Sequence, residues 1–167
     1  DFHYDVAIVG AGPVGGYLAT KMREHGHSVL IIEEHDEIGR PFQCAGLVNP
    51  DAMSKVSLEQ TVLTPIWGAR IHGPSGTPVE IGNPNRTRTW SVCRKKFDEA
   101  LVRRAVDEGS DIWLSSTPED VEIGMESALL KVKRGDVTVS VQCRMVCGCD
   151  GAHSWVRKKF RMGRPKE

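Results

Sequence analysis

Residues near the amino end have the types and spacing to hold a phosphorylated ligand. Gly10-Ala11-Gly12-Pro13-Val14-Gly15 is a complete G-x-G-x-x-G. In such a run Gly10 permits a tight turn and Gly12, lacking a Cβ, lets the backbone approach a pyrophosphate. Gly15 lets a helix pack close against a strand. A helix starting here offers free N–H groups and a partial positive charge to phosphates. Glu33 follows at the distance where a carboxylate accepts hydrogen bonds from the ribose hydroxyls of an adenosine. Glu34 fills that role if the register slips by one residue. A carboxylate there repels a ribose 2′-phosphate, so the pattern favours NAD or FAD. Two more side chains have chemical potential. Cys44 lies between small residues and either faces a ligand or packs as a small hydrophobe. Arg40 either reaches a phosphate or carboxylate or is a solvated surface arginine.

These residues need elements to position them. Residues 6–9 are an apolar run with a glycine stop, as in a buried parallel strand. A helix follows with Val14, Leu18 and Met22 on one face, ending in Arg23-Glu24-His25-Gly26. Residues 29–32 are a second apolar strand. Residues 35–39 form a polar loop, and 40–48 have no clear period. Asn49 and Pro50 predict the cap and first turn of a short helix over 50–56. Residues 68–81 read as a hairpin, with Ala69, Ile71, Val79 and Ile81 alternating around Gly73-Pro74-Ser75-Gly76. Residues 86–92 read as another strand. These antiparallel pieces look like part of a second domain inserted into the first.

The α/β pattern then resumes. Residues 94–108 predict a helix with a Phe97, Leu101, Ala105 stripe, Val102 and Val106 beside it, and a stop at Gly109. Residues 112–114 are a short strand. Residues 121–123, 129–132 and 137–141 read as a meander with Arg134-Gly135-Asp136 in a turn. A last strand, 144–147, runs into Gly148-Cys149-Asp150-Gly151, and a helix is expected over 152–160. The expected divisions are 1–60 and 93–167 for a nucleotide-binding domain, and 61–92 for an antiparallel segment of a substrate domain.

Bulk properties exclude several classes. The 167 residues suffice for one domain with a core. Lys and Arg total 22, as do Asp and Glu, so charge does not suggest nucleic acid. No apolar run approaches membrane-spanning length, and no secretory signal is read at the start. The five cysteines are odd in number and irregularly spaced, which fits a reducing cytoplasm better than a disulfide framework. Cys143, Cys147 and Cys149 are expected on one strand face as packed thiols, with no metal site. The basic tail over 157–166 reads as a solvated helix end, with contact to an anionic lipid surface as the alternative. His25, His27, His35, His72 and His153 form no cluster, and none is assigned catalysis.

Three separated stretches resemble one superfamily, the flavoproteins of glutathione-reductase type. They are residues 6–33, the run Arg94-Lys95-Lys96-Phe97-Asp98 with Leu101, Ala105 and Gly109, and Cys149-Asp150-Gly151-Ala152-His153-Ser154-Trp155-Val156-Arg157. The second is similar to the family's R-x-x-F-D-x-x-L helix and the third to its D-G motif. The resemblance implies a Rossmann-like FAD/NAD(P)-binding fold of the α/β class, with a parallel sheet, a β-meander and an inserted antiparallel segment. It makes the dinucleotide FAD. Gly10, Gly12, Val14 and Gly15 then face the pyrophosphate, Glu33 the adenosine ribose, and Arg94 the flavin side of the pyrophosphate or the ribityl. Asp150 and Gly151 lie near the cofactor.

The run Glu37-Ile38-Gly39-Arg40-Pro41-Phe42-Gln43-Cys44-Ala45-Gly46 resembles the geranylgeranyl reductase group, which has a cysteine here beside the flavin. Aromatic hydroxylases of the same branch generally lack it. The resemblance implies saturation of polyprenyl C=C bonds by hydride from reduced flavin, on a prenylated lipid or pigment. The reductant is NAD(P)H, ferredoxin or another carrier. It places Arg40, Cys44 and Ala45 at the cofactor, with Cys44 as proton donor or positioning group. A flavin hydroxylase and a non-catalytic electron-transfer module working with a partner chain are the alternatives. Members of this superfamily are about twice this length or more and carry a third FAD-binding stretch after the D-G motif. The chain is therefore expected to be a truncated part, weak in FAD binding, inactive alone and prone to self-association through exposed apolar surface.

Overall fold

The computed structural model describes residues 2–42 and 44–163. They fall into two compact units, one built from residues up to 40 and from 98 onward, the other from residues 41–97. The antiparallel segment expected over 61–92 lies within the second unit. In the first unit β1 (Phe2–Val9) leads into α1 (Pro13–Glu24) and β2 (Val29–Ile32). The second unit holds β3 (Leu47–Val48), α2 (Pro50–Val56), β4 (Val62–Ile66), β5 (Gly68–His72), β6 (Pro78–Gly82) and β7 (Thr89–Val92). Next come α3 (Arg94–Asp107), β8 (Asp111–Trp113), β9 (Ser116–Ile123), β10 (Ala128–Arg134), β11 (Val137–Gly148) and α4 (Trp155–Lys159).

The first unit is a six-stranded sheet in the order β8-β2-β1-β11-β10-β9. The strands β8, β2, β1 and β11 run parallel, and β10 and β9 add an antiparallel meander. This is the Rossmann-like α/β arrangement the motifs predict. All four residues of β2 are buried, so its sequence, VLII, is apolar without alternation, as in a parallel strand covered on both faces. One face packs Ala7, Leu30 and Ile32 with Leu130, Val132 and Val141. The other packs Val6, Ile8, Val29 and Ile31 with Ala19, Val102 and Ala105 of the helices.

The helix α1 meets its neighbours through small residues rather than the expected Val14, Leu18, Met22 stripe. Gly15, Gly16, Ala19 and Thr20 are its buried positions, whereas Val14 is 67% exposed. A Cβ on Gly16 would lie 3.0 Å from the Val102 nitrogen, so the close approach of α1 and α3 requires glycine. Leu18 and Met22 are only partly buried at the edge of this contact.

The strand β11 corrects two expectations. Residues 137–141 and 144–147 are one continuous strand. It pairs antiparallel with β10 along one edge and parallel with β1 along the other, and the two ladders overlap at Val141–Cys143. Nor do its cysteines share a face. Cys143 packs with Ala7 and Leu30, whereas Cys147 and Cys149 pack against the Ile8 and Ile31 side. Tyr4, which aligns with Cys143, packs on the same side as Ala7, so β1 and β11 change faces together while staying in register.

In the second unit α2 starts as its sequence predicts, with Asn49 Oδ1 accepting from Ala52 N–H at 2.7 Å. The strands form two small sheets, β3-β7-β4 and β5-β6. Neither β3 nor β4 is expected from the sequence. The β5-β6 hairpin pairs Ala69 with Ile81 and Ile71 with Val79, and Arg70 forms an ion pair with Glu80 across it. Among the described residues no helix is long and apolar enough to cross a membrane.

Candidate functional site

Adjacent parallel strands bring the separated motifs of the first unit together. The strand β1 lies between β2, which follows it in the chain, and β11, the last strand, so the strand order reverses beside it. In open α/β sheets that switch point is where ligands bind. The glycine run leaves β1 there, Glu33 leaves β2, and Cys149-Asp150-Gly151 leaves β11. Hydrogen bonds stitch these ends: Gly10 N–H to Ile32 O at 2.8 Å and Cys149 N–H to Val9 O at 2.7 Å.

The glycines have distinct physical roles. Gly10 has a φ of +102°, and a Cβ on it would lie 2.4 Å from the Cys149 carbonyl oxygen. A Cβ on Gly15 would lie 2.0 Å from the Gly10 carbonyl oxygen. Gly12 differs: nothing lies within 4 Å of where its Cβ would be. Glycine there keeps a surface bare rather than relieving an internal clash. Gly12 is also the N-cap of α1, and no side chain caps that end. Bare backbone at a helix amino terminus suits a phosphate, and exposed Val14 stands beside it.

Glu33, not Glu34, faces the glycine run. Its side chain is 13% exposed and that of Glu34 68%. Glu33 Oε2 accepts from Ala11 N–H at 2.8 Å. Its Oε1 accepts from His35 N–H at 3.0 Å and contacts His35 Nδ1 at 2.6 Å. The histidine is a site neighbour the sequence reading did not assign. The only signal was its place two residues after the acid.

Asp150 is engaged in local structure. Its Oδ1 accepts from Ser154 Oγ at 2.6 Å and its Oδ2 from Val156 N–H at 3.0 Å. Ser154 Oγ in turn accepts from Arg157 N–H at 2.9 Å and caps α4. Asp150 thereby fixes the D-G turn against Gly10, whose Cβ would come within 3.0 Å of the Asp150 Cα. Gly151 has a φ of +70° and open space at its Cβ. The helix α4 is shorter than the expected 152–160, because residues 151–154 form the turn that Asp150 holds. Arg40 forms a loose ion pair with Glu37 at 3.8 Å.

The remaining candidates belong to the second unit. Cys44 and Ala45 are exposed, and Cys44 Sγ accepts from Gly46 N–H at 3.5 Å. Gly46 has a φ of +72°, and a Cβ there would meet the Val92 carbonyl at 2.5 Å and Arg94 Cγ at 3.3 Å. The Arg94 stem therefore lies over Gly46, and the motif glycine is needed for that contact. Gln43 of the same motif, and residues 164–166 of the basic tail, lie outside the described residues. The unit also contains a cavity of about 450 Å³, lined among others by Leu47, Ile66, Ala69, Ile81, Arg86 and Arg88. No sequence motif pointed to it.

The other thiols are quiet. Burial pushes Cys143 and Cys149 up to about 11, and raises Cys147 in the same direction. Burial thus favours the neutral, weakly nucleophilic thiol at all three. Among the described residues no group of His, Cys, Asp and Glu is arranged to hold a metal ion.

A glycine run at a switch point, an open helix terminus and an inward-facing acid define a dinucleotide-binding domain of Rossmann type. The bare backbone at Gly12 and the acid bonded to Ala11 fit an adenosine diphosphate moiety. A family model described as FAD binding domain matches residues 3–167, and the chain belongs to that family. Within it, the chain is the FAD-binding part of a geranylgeranyl-reductase-like flavoprotein. It is 32% identical over 161 residues to digeranylgeranylglycerophospholipid reductase of Picrophilus torridus, covering 92% of this chain and 41% of that protein. It is 33% identical over 160 residues to digeranylgeranylglycerophospholipid reductase 2 of Methanothermobacter thermautotrophicus, covering 93% and 41%. Among solved structures, a geranylgeranyl bacteriochlorophyll reductase-like protein from Thermoplasma acidophilum superimposes with a TM-score of 0.80. The identity is 28%, over 90% of this chain and 40% of that one. The chain thus spans about two-fifths of the length of these relatives.

Proposed function

We propose that this chain is the flavin-binding portion of a reductase that saturates C=C bonds of polyprenyl groups. The convergence of the glycine run, Glu33 and the D-G turn at the carboxyl ends of three adjacent parallel strands carries the cofactor half of this reading. The Cys44 segment and the names of the relatives support the substrate half. When bound, FAD supplies two-electron chemistry, taking electrons from NAD(P)H or ferredoxin and delivering hydride to the alkene.

The chain's own residues do the rest. Gly10, Gly12, Val14 and Gly15 admit the pyrophosphate to the amino end of α1. Glu33 accepts from the adenosine ribose. Arg94 and Arg40 would offset phosphate charge, and Ala45 would contribute to holding the cofactor. Asp150 and Gly151 hold the turn that borders the cofactor. Cys44 would hold a proton at Sγ for the substrate alkene or position it. The cavity lined by Leu47, Ile66, Ala69 and Ile81 is apolar enough to take a prenyl chain. A prenylated lipid or pigment is the substrate, which brings the protein to a membrane surface from the cytoplasm. The rest of the substrate domain is supplied by further polypeptide.

The test has two parts. Purified chain is titrated with FAD and its visible spectrum followed, with a bound-flavin spectrum expected. In a protein extended to the length of the relatives, Cys44→Ala is expected to slow alkene saturation while flavin reduction persists. Unchanged saturation removes Cys44 from the mechanism, and oxygen consumption coupled to a hydroxylated aromatic product overturns the reductase reading.

A further inference from the structure

The Glu33 carboxylate is already largely occupied. An ionised carboxylate has roughly four acceptor positions, two on each oxygen. Among the described residues three donors occupy three of them: His35 N–H and the His35 ring on Oε1, and Ala11 N–H on Oε2. The carboxylate only accepts, so His35 Nδ1 must carry its hydrogen and donate. At 2.6 Å this is a short, charge-assisted contact. The position of the histidine is itself fixed, because its carbonyl accepts from Ser115 N–H at 3.0 Å. Glu33 is pinned likewise, with its N–H on Trp113 O at 2.9 Å and its carbonyl accepting from Ser116 N–H at 2.8 Å.

We infer that His35 is a positioning residue that saturates Oε1 and leaves Glu33 one free acceptor position, on Oε2. The inference rests on the proposed adenosine site. A ribose offers two adjacent hydroxyls, and a carboxylate free at both oxygens takes both. With His35 in place Glu33 takes one. The site therefore reads a single ribose hydroxyl, and the other makes no bond to this acid.

The experiment is calorimetric titration of the chain with ADP, 2′-deoxy-ADP and 3′-deoxy-ADP. The wild-type chain is expected to bind ADP and one deoxy analogue within twofold of each other. The other analogue should bind about tenfold to a hundredfold more weakly, as for loss of one hydrogen bond to a charged group. In His35→Ala a position on Oε1 is released, and both analogues should bind more weakly than ADP. His35→Asn, which keeps a side-chain donor, should restore the wild-type pattern. A mere loss of local structure weakens all three ligands alike and does not change their ranking. Equal penalties for both analogues in the wild type, or none for either, overturn the inference while leaving the cofactor site standing. So does an unchanged pattern in His35→Ala. A wild-type chain that takes no ADP at millimolar concentration overturns the cofactor reading itself.

Discussion

The two units spend similar apolar residues in opposite ways. In the first, Ile8 and Ile31 are wholly buried beneath the helices, and Leu30 against residues of the meander strands. In the second, Ile71, Val79 and Ile81 on the β5-β6 hairpin are 53, 59 and 55% exposed. All are β-branched or large residues on well-paired strands, so strand formation does not separate them. Cover does. Helices cover one face of β2, and residues of β8 to β11 complete the other. A two-stranded hairpin has only its turn and one partner, and is marginal without a further layer. The nucleotide-binding unit thus completes its own core, whereas the hairpin presents an apolar face.

This contrast can be broken at several points. Gly15→Val should have the largest effect, because its Cβ would lie 2.0 Å from the Gly10 carbonyl oxygen. Loss of the first unit's cooperative thermal transition, or destabilisation beyond about 4 kcal/mol, is expected. A variant within 1 kcal/mol of wild type contradicts the packing described here. Leu30→Ala comes next. A fully buried leucine in β2 should cost about 2–5 kcal/mol in denaturant unfolding.

Gly12→Val sharpens the comparison by separating stability from binding. Its Cβ meets nothing within 4 Å, so the unfolding midpoint should barely move while flavin uptake, read by absorbance, is lost. Retained affinity would falsify the placement of the pyrophosphate. The thiols give a chemical version of the same contrast. Cys44 is exposed, whereas burial raises Cys143 and Cys149 to about 11. A raised thiol pKa leaves the unreactive protonated form dominant below that pH. Alkylation at pH 8 should label Cys44 first, with Cys143 and Cys149 slower by on the order of tenfold or more; mass spectrometry of the peptides gives the order. The smallest effect is reserved for the hairpin. Ile81→Thr should change stability by only about 0.5 kcal/mol or less, and sedimentation should show less self-association if this face drives it.

Where local rules act alone, elements were legible. The strand Val29–Ile32 and the helix Pro50–Val56 have the bounds their sequences predict. An unbroken apolar run and an Asn-Pro start each suffice over a few residues. Where a neighbour decides, they were not. The strand β4 contains Thr64 and Pro65 and, among the described residues, pairs with β7 alone. The strand β11 reads as two pieces because different partners cover its two halves.

The candidate site divides the same way. Residue order determined that a glycine run, an acid after the second strand and a D-G turn were present, since each is a contiguous pattern shaped by backbone sterics. Folding alone decided that the three lie side by side, that Glu33 rather than Glu34 turns toward the glycines, and that His35 occupies one of its oxygens. Those outcomes depend on which strands become neighbours, and sheet register sets that over more than a hundred intervening positions.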